Sequence, residues 1–245
     1  MPLLKKYIPA AVKRFIRISQ RSCLDLVTGI NGKMARSYEE GNGYHPIKSI
    51  IQPIRNAAAT SGKIHNLQLA LRKLDHVRVG PGQIFSFWHL VKAPYERYGY
   101  QRSRTIRGEH LREEVGGGLC QLSGLVYFLA LHAGLTITER HAHSIDIYSE
   151  EERFTPLGSD ATVVYGYKDL RFQNPYDFPL QLSFTLTETS LSGIISAALP
   201  ATPHQVEFNY ERHPDYTNVI TISTKNGQSI IVAKDKYSLL NGRQQ

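Results

Sequence analysis

Apolar residues recur at helical spacing in three stretches of the chain. Leu3, Leu4, Tyr7, Ile8, Ala11, Val12, Phe15 and Ile16, with Leu24 and Val27 further on, predict an amphipathic helix over residues 3–28, bent at Pro9 and ended by Gly29, Asn31 and Gly32. Leu67, Ala70, Leu71 and Leu74 follow the i, i+3, i+4, i+7 pattern and predict a second helix over 63–75. The clearest signal lies at 120–133. There Leu122, Leu125, Val126, Leu129, Ala130 and Ala133 form one apolar face, and Gly134 stands at the C′ position.

Elsewhere the period shortens. Residues 41–46 read as a loop and Pro81-Gly82 as a turn, after which Ile84, Phe85 and Phe87 predict a strand. Further strands are expected at 105–107, 135–138, 141–148 and 161–165. Leu180, Leu182, Phe184 and Leu186 alternate with Gln181, Ser183 and Thr185, the period of a half-buried strand, and 194–197 continues it. Runs at 219–223 and 229–232 flank Lys225-Asn226-Gly227-Gln228, where Asn-Gly signals a tight hairpin. The pattern therefore predicts an α+β fold: a helical N-terminal third, then a mainly antiparallel sheet with one central helix starting at a Gly-Gly-Gly-x-Cys turn. We divide the chain into an N-terminal helical region (1–79), a central domain (80–200) and a C-terminal β-hairpin extension packed on it (201–245).

Composition adds two points. With 41% hydrophobic and 20% charged residues over 245 positions the chain can bury a core, which excludes global disorder. The net charge is +8, and Lys5, Lys6, Lys13, Arg14, Arg17 and Arg21 fall within the first 21 residues, which hold no acid. A basic amphipathic segment at 1–28 suits either an anionic membrane surface or, with Leu4, Ile8, Val12 and Phe15 turned inward, the body of the protein itself. No nucleic-acid motif accompanies the charge. The basic residues interrupt any signal-peptide core, and no apolar run is long enough to span a bilayer. The expected location is cytoplasmic, or peripheral at the inner membrane face.

Candidate chemistry gathers in two short segments. Cys120 follows Gly116-Gly117-Gly118-Leu119 at the start of the clearest helix. Unpaired N–H groups and the macrodipole there favour a thiolate, and glycines let backbone amides approach a substrate carbonyl. Cys23, the other cysteine, lacks such surroundings, and both are expected to be free thiols. Downstream lies Glu139-Arg140-His141-Ala142-His143-Ser144. On a strand, His141 and His143 share a face, and either could serve as base for Cys120, oriented by Asp146 or Asp160. The bland alternative is a buried cysteine in a glycine turn and a structural histidine pair. Another reading makes Cys120, His141 and His143 a three-ligand zinc site, although no second nearby Cys or His-Glu-x-x-His supports it, and no cofactor is expected.

The two segments, with Leu125-Val126-Tyr127, Ala133-Gly134-Leu135, Phe85-Ser86-Phe87, Tyr98-Gly99-Tyr100, residues 158–163 (Gly-Ser-Asp-Ala-Thr-Val), and Asp169, Phe172 and Asn174 before Pro179, resemble the signature of the VanW-like family. The resemblance covers about residues 80–190. That family is named for an accessory protein of B-type vancomycin-resistance clusters, so the resemblance implies a role in bacterial peptidoglycan metabolism or glycopeptide resistance. For some of its members it implies L,D-transpeptidase-like acyl transfer from a stem peptide. Carried over, Cys120 would be the nucleophile, His143 or His141 the base and Asp160 a site-organising residue. Gly116, Gly117, Gly118, Gln121, Ser123, Arg140 and Ser144 would contact a peptidoglycan stem peptide or precursor. A non-catalytic accessory protein that binds precursors or a resistance partner through the same cleft is the alternative from another class.

Overall fold

The computed structural model describes residues 8–37, 43–54, 60–107, 110–146 and 153–239. Its helices are α1 (Ala10–Val27), α2 (Thr60–Leu74), the short α3 (Phe87–Val91) and α4 (Leu119–His132). The strands, in chain order, are β1 (Arg36–Ser37), β2 (His45–Pro53), β3 (Val77–Val79), β4 (Ile84–Ser86), β5 (Arg102–Arg107), β6 (His110–Val115) and β7 (Thr136–Glu139). They continue with β8 (Ile145–Asp146), β9 (Arg171–Gln173), β10 (Leu180–Leu186), β11 (Ser190–Ala197), β12 (Gln205–Arg212), β13 (Tyr216–Lys225) and β14 (Gln228–Leu239). The fold is α+β, as the periodicity predicts.

A five-stranded antiparallel sheet in the order β1-β3-β10-β11-β2 forms the main layer. A second sheet, β12-β13-β14-β8, is antiparallel except where β14 runs parallel to β8. The sheet β4-β9-β7 and the hairpin β5-β6 complete the set. Helix α4 runs through the middle with ten of its fourteen residues buried, and it lies across β2 and β11. Gly193 on β11 makes room for it, since a Cβ there would stand 2.5 Å from Leu125 Cδ2. One apolar cluster extends from Ala35 through α2 and α4 to Ala197, and Val206, Phe208 and Val232 pack against it from the second sheet. Among the described residues no helix is long and apolar enough to cross a membrane.

Several local expectations change. The helix expected over 3–28 is described from Ala10, with Pro9 as its N-cap rather than a bend, and residues 1–7 lie outside the described residues. Phe87 opens α3, because the Ser86 side chain caps that turn by accepting from the His89 N–H. The loop expected over 41–46 gives way to β2 from His45, with 41 and 42 outside the described residues. β2 is an edge strand, where Pro46 and Pro53 are tolerated. Residues 161–165 form no strand. Their single ladder contact is the Val164–Lys168 bridge of a turn. The strand expected over 141–148 is reduced to Ile145–Asp146, with 147 and 148 outside the described residues. The Asn226-Gly227 hairpin forms as expected, both residues having positive φ (51° and 78°) between Lys225 and Gln228.

Candidate active site

The site is built where α4 begins. Gly116 and Gly118 adopt φ of 85° and 100°, a region closed to ordinary side chains, and Gly118 caps the helix. Its missing Cβ matters for a second reason, since a methyl group there would stand 2.8 Å from Lys63 Cγ on α2. Asn66, fully buried on α2, fixes the turn from below. Its Nδ2 donates to the Gly117 carbonyl at 3.1 Å and to the Gln101 carbonyl at 2.9 Å, while its Oδ1 accepts from the Gln101 N–H at 2.8 Å. Cys120 thus emerges from a turn set by backbone conformation and held by a buried amide.

A second segment, residues 158–163, runs alongside α4. Ser123 Oγ donates to the Ala161 carbonyl at 2.6 Å, with the Cys120 carbonyl 3.1 Å away, and the Cys120 thiol points at the Val163 carbonyl at 3.7 Å. The third segment is the irregular stretch between β7 and β8, joined to the second where the Thr162 N–H donates to the His141 carbonyl at 2.7 Å. Here the two histidines part. His143 Nδ1 meets Asp160 Oδ2 at 2.6 Å, and the same oxygen accepts from the His143 backbone N–H at 2.7 Å. The ring also hydrogen-bonds the Cys120 side chain. His141 turns the other way, its Nε2 3.1 Å from Glu139 Oε1. The expectation that both share a strand face fails because residues 140–144 are no strand. Each imidazole instead follows its own carboxylate.

Electrostatics favour the charged forms of both His143 and Asp160. Burial pulls the His143 imidazole down, but its hydrogen bonds to Asp160 and Cys120 outweigh it, and the pKa is raised to about 10. Burial pushes the Asp160 carboxyl up, and the His143 hydrogen bond and the Arg140 charge hold it well below the usual carboxylate range. An imidazolium held by a carboxylate beside a cysteine is what a cysteine nucleophile with an oriented base would require.

Arg140 is not a surface contact for substrate in this arrangement. Its side chain is only 4% exposed. Nε donates to the Asp160 carbonyl at 2.7 Å, Nη2 to Asp160 Oδ1 at 3.0 Å and to the Gly158 carbonyl at 3.1 Å, and Nη1 pairs with Asp235. The guanidinium also lies 4.8 Å over the Tyr127 ring. Tyr237, on β14, donates its hydroxyl to Asp160 Oδ1 at 2.5 Å. Arg140, Tyr237 and Asp235 therefore form a buried frame behind Asp160. The remaining residues are dispersed. Gln121 donates from Nε2 to the Pro53 carbonyl at 3.2 Å, Ser144 is exposed and bonds β14 through its carbonyl, and Asp146 is buried against Arg153.

Sequence reasoning missed Asn66, Asp235 and Tyr237. Asn66 stands one turn from a lysine inside an ordinary amphipathic pattern, and Tyr237 lies in a strand 77 positions from its partner. No local signal marks either. Among the described residues no group of three His, Cys, Asp or Glu side chains is placed to hold a metal ion. The zinc set fails in particular because His141 is committed to Glu139. Both cysteines are free, Cys23 exposed and Cys120 partly covered.

A family profile described as VanW like protein matches residues 62–196, more than half of the chain. The chain belongs to the VanW-like family. It is 34% identical over 135 residues to the Vancomycin B-type resistance protein VanW of Enterococcus faecalis, a match covering 55% of this chain and 49% of that protein. It is likewise 34% identical over 123 residues to the Uncharacterized protein YoaR of Bacillus subtilis, covering 50% of this chain and 39% of that protein. The matched region thus spans half or less of the length of these curated relatives. No solved structure matches the chain. Cys120, His143, Asp160, Arg140 and Asn66 all fall inside the family match, whereas Asp235 and Tyr237 lie beyond it.

Proposed function

We propose that this VanW-like protein is a cysteine acyltransferase acting on bacterial cell-wall stem peptides, in the manner of an L,D-transpeptidase, with a role in peptidoglycan metabolism or glycopeptide resistance. The observation that carries the reading is the ordered chain from Cys120 through His143 to Asp160, with a buried arginine and tyrosine holding the carboxylate. The relative whose name refers to vancomycin resistance supports the cell-wall setting.

In the proposed reaction the Cys120 thiolate attacks a stem-peptide carbonyl. The developing oxyanion is met by backbone N–H groups at the Gly118–Cys120 turn. The carbon–nitrogen bond breaks, the His143 imidazolium gives its proton to the departing amine, D-alanine leaves, and a thioester remains on Cys120. An acceptor amine then attacks the thioester, His143 takes its proton, and the thiolate is regenerated. Asp160 keeps Nδ1 of the imidazole turned inward throughout, and Arg140 and Tyr237 keep Asp160 in place.

Cys120→Ala tests the proposal. With a muropeptide donor and a D-amino-acid acceptor, the wild type should exchange the terminal residue, and the alanine variant should lose that exchange by about 10³-fold or more. Retention of full activity by Cys120→Ala would mark the protein as a binding module and sink the acyl-transfer reading.

A further inference from the structure

Helix α1 is fastened to the body by charge, and its apolar side is left uncovered. Arg14, Ile18, Arg21 and Asp25 recur at i, i+4, i+7 and i+11 and face the body. Asp25 takes both terminal nitrogens of Arg171 at 2.7 and 2.8 Å, and Arg21 grips Glu139 at 3.0 and 2.5 Å. Arg14 lies 5.1 Å over the Tyr95 ring, and Arg14 and Ile18 pack onto Gly166. The opposite side carries Phe15, Leu26 and Val27, which are 70%, 68% and 78% exposed, together with Val12 and Ile16. This reverses the expectation that Val12 and Phe15 pack inward. A surface helix ordinarily buries its apolar stripe, and here the polar face is buried instead.

Charge says what the uncovered stripe fits. Asp25 is the only acid in α1 and is consumed by Arg171, while Lys13 and Arg17 flank the apolar side. A second copy of the chain would bring these cations against their like; an anionic lipid surface would neutralise them. The neighbouring turn adds Val164 and Tyr167 and, next to Tyr95, Tyr98, all exposed and of the kind that sits at headgroup level. We propose that α1 is an interfacial helix that seats the protein on an anionic bilayer. Phe15, Leu26 and Val27 enter the headgroup–acyl boundary and Lys13 and Arg17 meet the headgroups. The Val163 carbonyl that faces the Cys120 thiol directly precedes Val164, so the seated face adjoins the candidate active site.

The test is co-sedimentation of the full chain with vesicles of phosphatidylcholine alone or mixed with phosphatidylglycerol. The protein should pellet with the anionic vesicles at low salt, stay in solution with phosphatidylcholine, and be released as salt rises. Phe15→Glu with Leu26→Glu should abolish pelleting while circular dichroism and Tm stay at wild-type values, because both side chains are exposed. Lys13→Glu and Arg17→Glu should each weaken binding by about five-fold or more. Failure to pellet with anionic vesicles at low salt overturns the proposal. So does undiminished pelleting of the double glutamate variant, or a solution dimer abolished by that variant in protein that ignores lipid. None of these outcomes bears on Cys120, so the membrane proposal and the acyl-transfer proposal fail separately.

Discussion

At the scale of single residues, the choice between His141 and His143 rests on which carboxylate each imidazole meets. His143 Nδ1 meets Asp160, and Cys120 lies close enough to favour its protonated form, while His141 belongs to the Glu139–Arg21 group that anchors α1. The His143 pKa is raised to about 10, above its ordinary value. The cation's contribution to stability is therefore complete below about pH 6.5 and is lost as pH rises through about 10. In Asp160→Asn the first influence opposing burial is removed. An NMR titration should then show His143 losing its proton well below about pH 10, and Cys120 should alkylate more slowly with iodoacetamide at pH 6. An unchanged His143 titration would mean that Asp160 does not orient this ring. Tyr237→Phe should have the gentler effect of raising the acid limb of the activity profile, since the phenol helps keep the Asp160 carboxylate charged. If that limb stays put, Tyr237 is packing and nothing more.

At the scale of elements, the glycine turn and α4 are the part of the site that a sequence displays best. Three consecutive glycines, a cysteine and an apolar 3.6-residue period leave few alternatives, and the long hairpin strands announce themselves through alternation and Asn-Gly. The stretch at 140–144 deceives because its polar and small residues alternate like a strand. In the fold those polar groups bond the 158–160 segment instead of a ladder, and only contacts distant in sequence decide that. β2 is hidden for a related reason: its terminal prolines suppress the strand signal, and an edge position makes them harmless. The turn itself yields a sharp test. Gly118→Ala forces a left-handed φ on a residue with a Cβ and drives that Cβ to 2.8 Å from Lys63 Cγ. The expected cost is about 1–3 kcal/mol, with Cys120 displaced, so Tm should fall and exchange activity should drop more steeply than stability. Wild-type Tm and activity in this variant would show that the turn tolerates side chains and does not fix Cys120.

At the scale of the whole molecule, the candidate site draws on two parts of the chain, one inside the family match and one beyond it. Residues 62–196 contain Cys120, His143, Asp160 and Arg140, but Asp235 and Tyr237 arrive from β14 of the C-terminal sheet. Arg140 is 4% exposed, so its charge depends on Asp160 and Asp235 rather than on water. Without Asp235 the buried guanidinium keeps Asp160 as its one carboxylate partner, so the cost lies below the roughly 3–5 kcal/mol of a fully unpaired buried charge. Asp235→Leu should therefore unfold at clearly lower denaturant concentration than the wild type. Arg140→Leu with Asp235→Leu should recover part of that loss, because no under-paired guanidinium remains buried. The two variants separate stability from positioning. The double variant, though more stable than Asp235→Leu, has no guanidinium to hold Asp160, so its Cys120 should still alkylate slowly at pH 6. Were Cys120 reactivity instead to return together with stability, the C-terminal sheet would be a passive brace and the site would be complete within the family-matched segment.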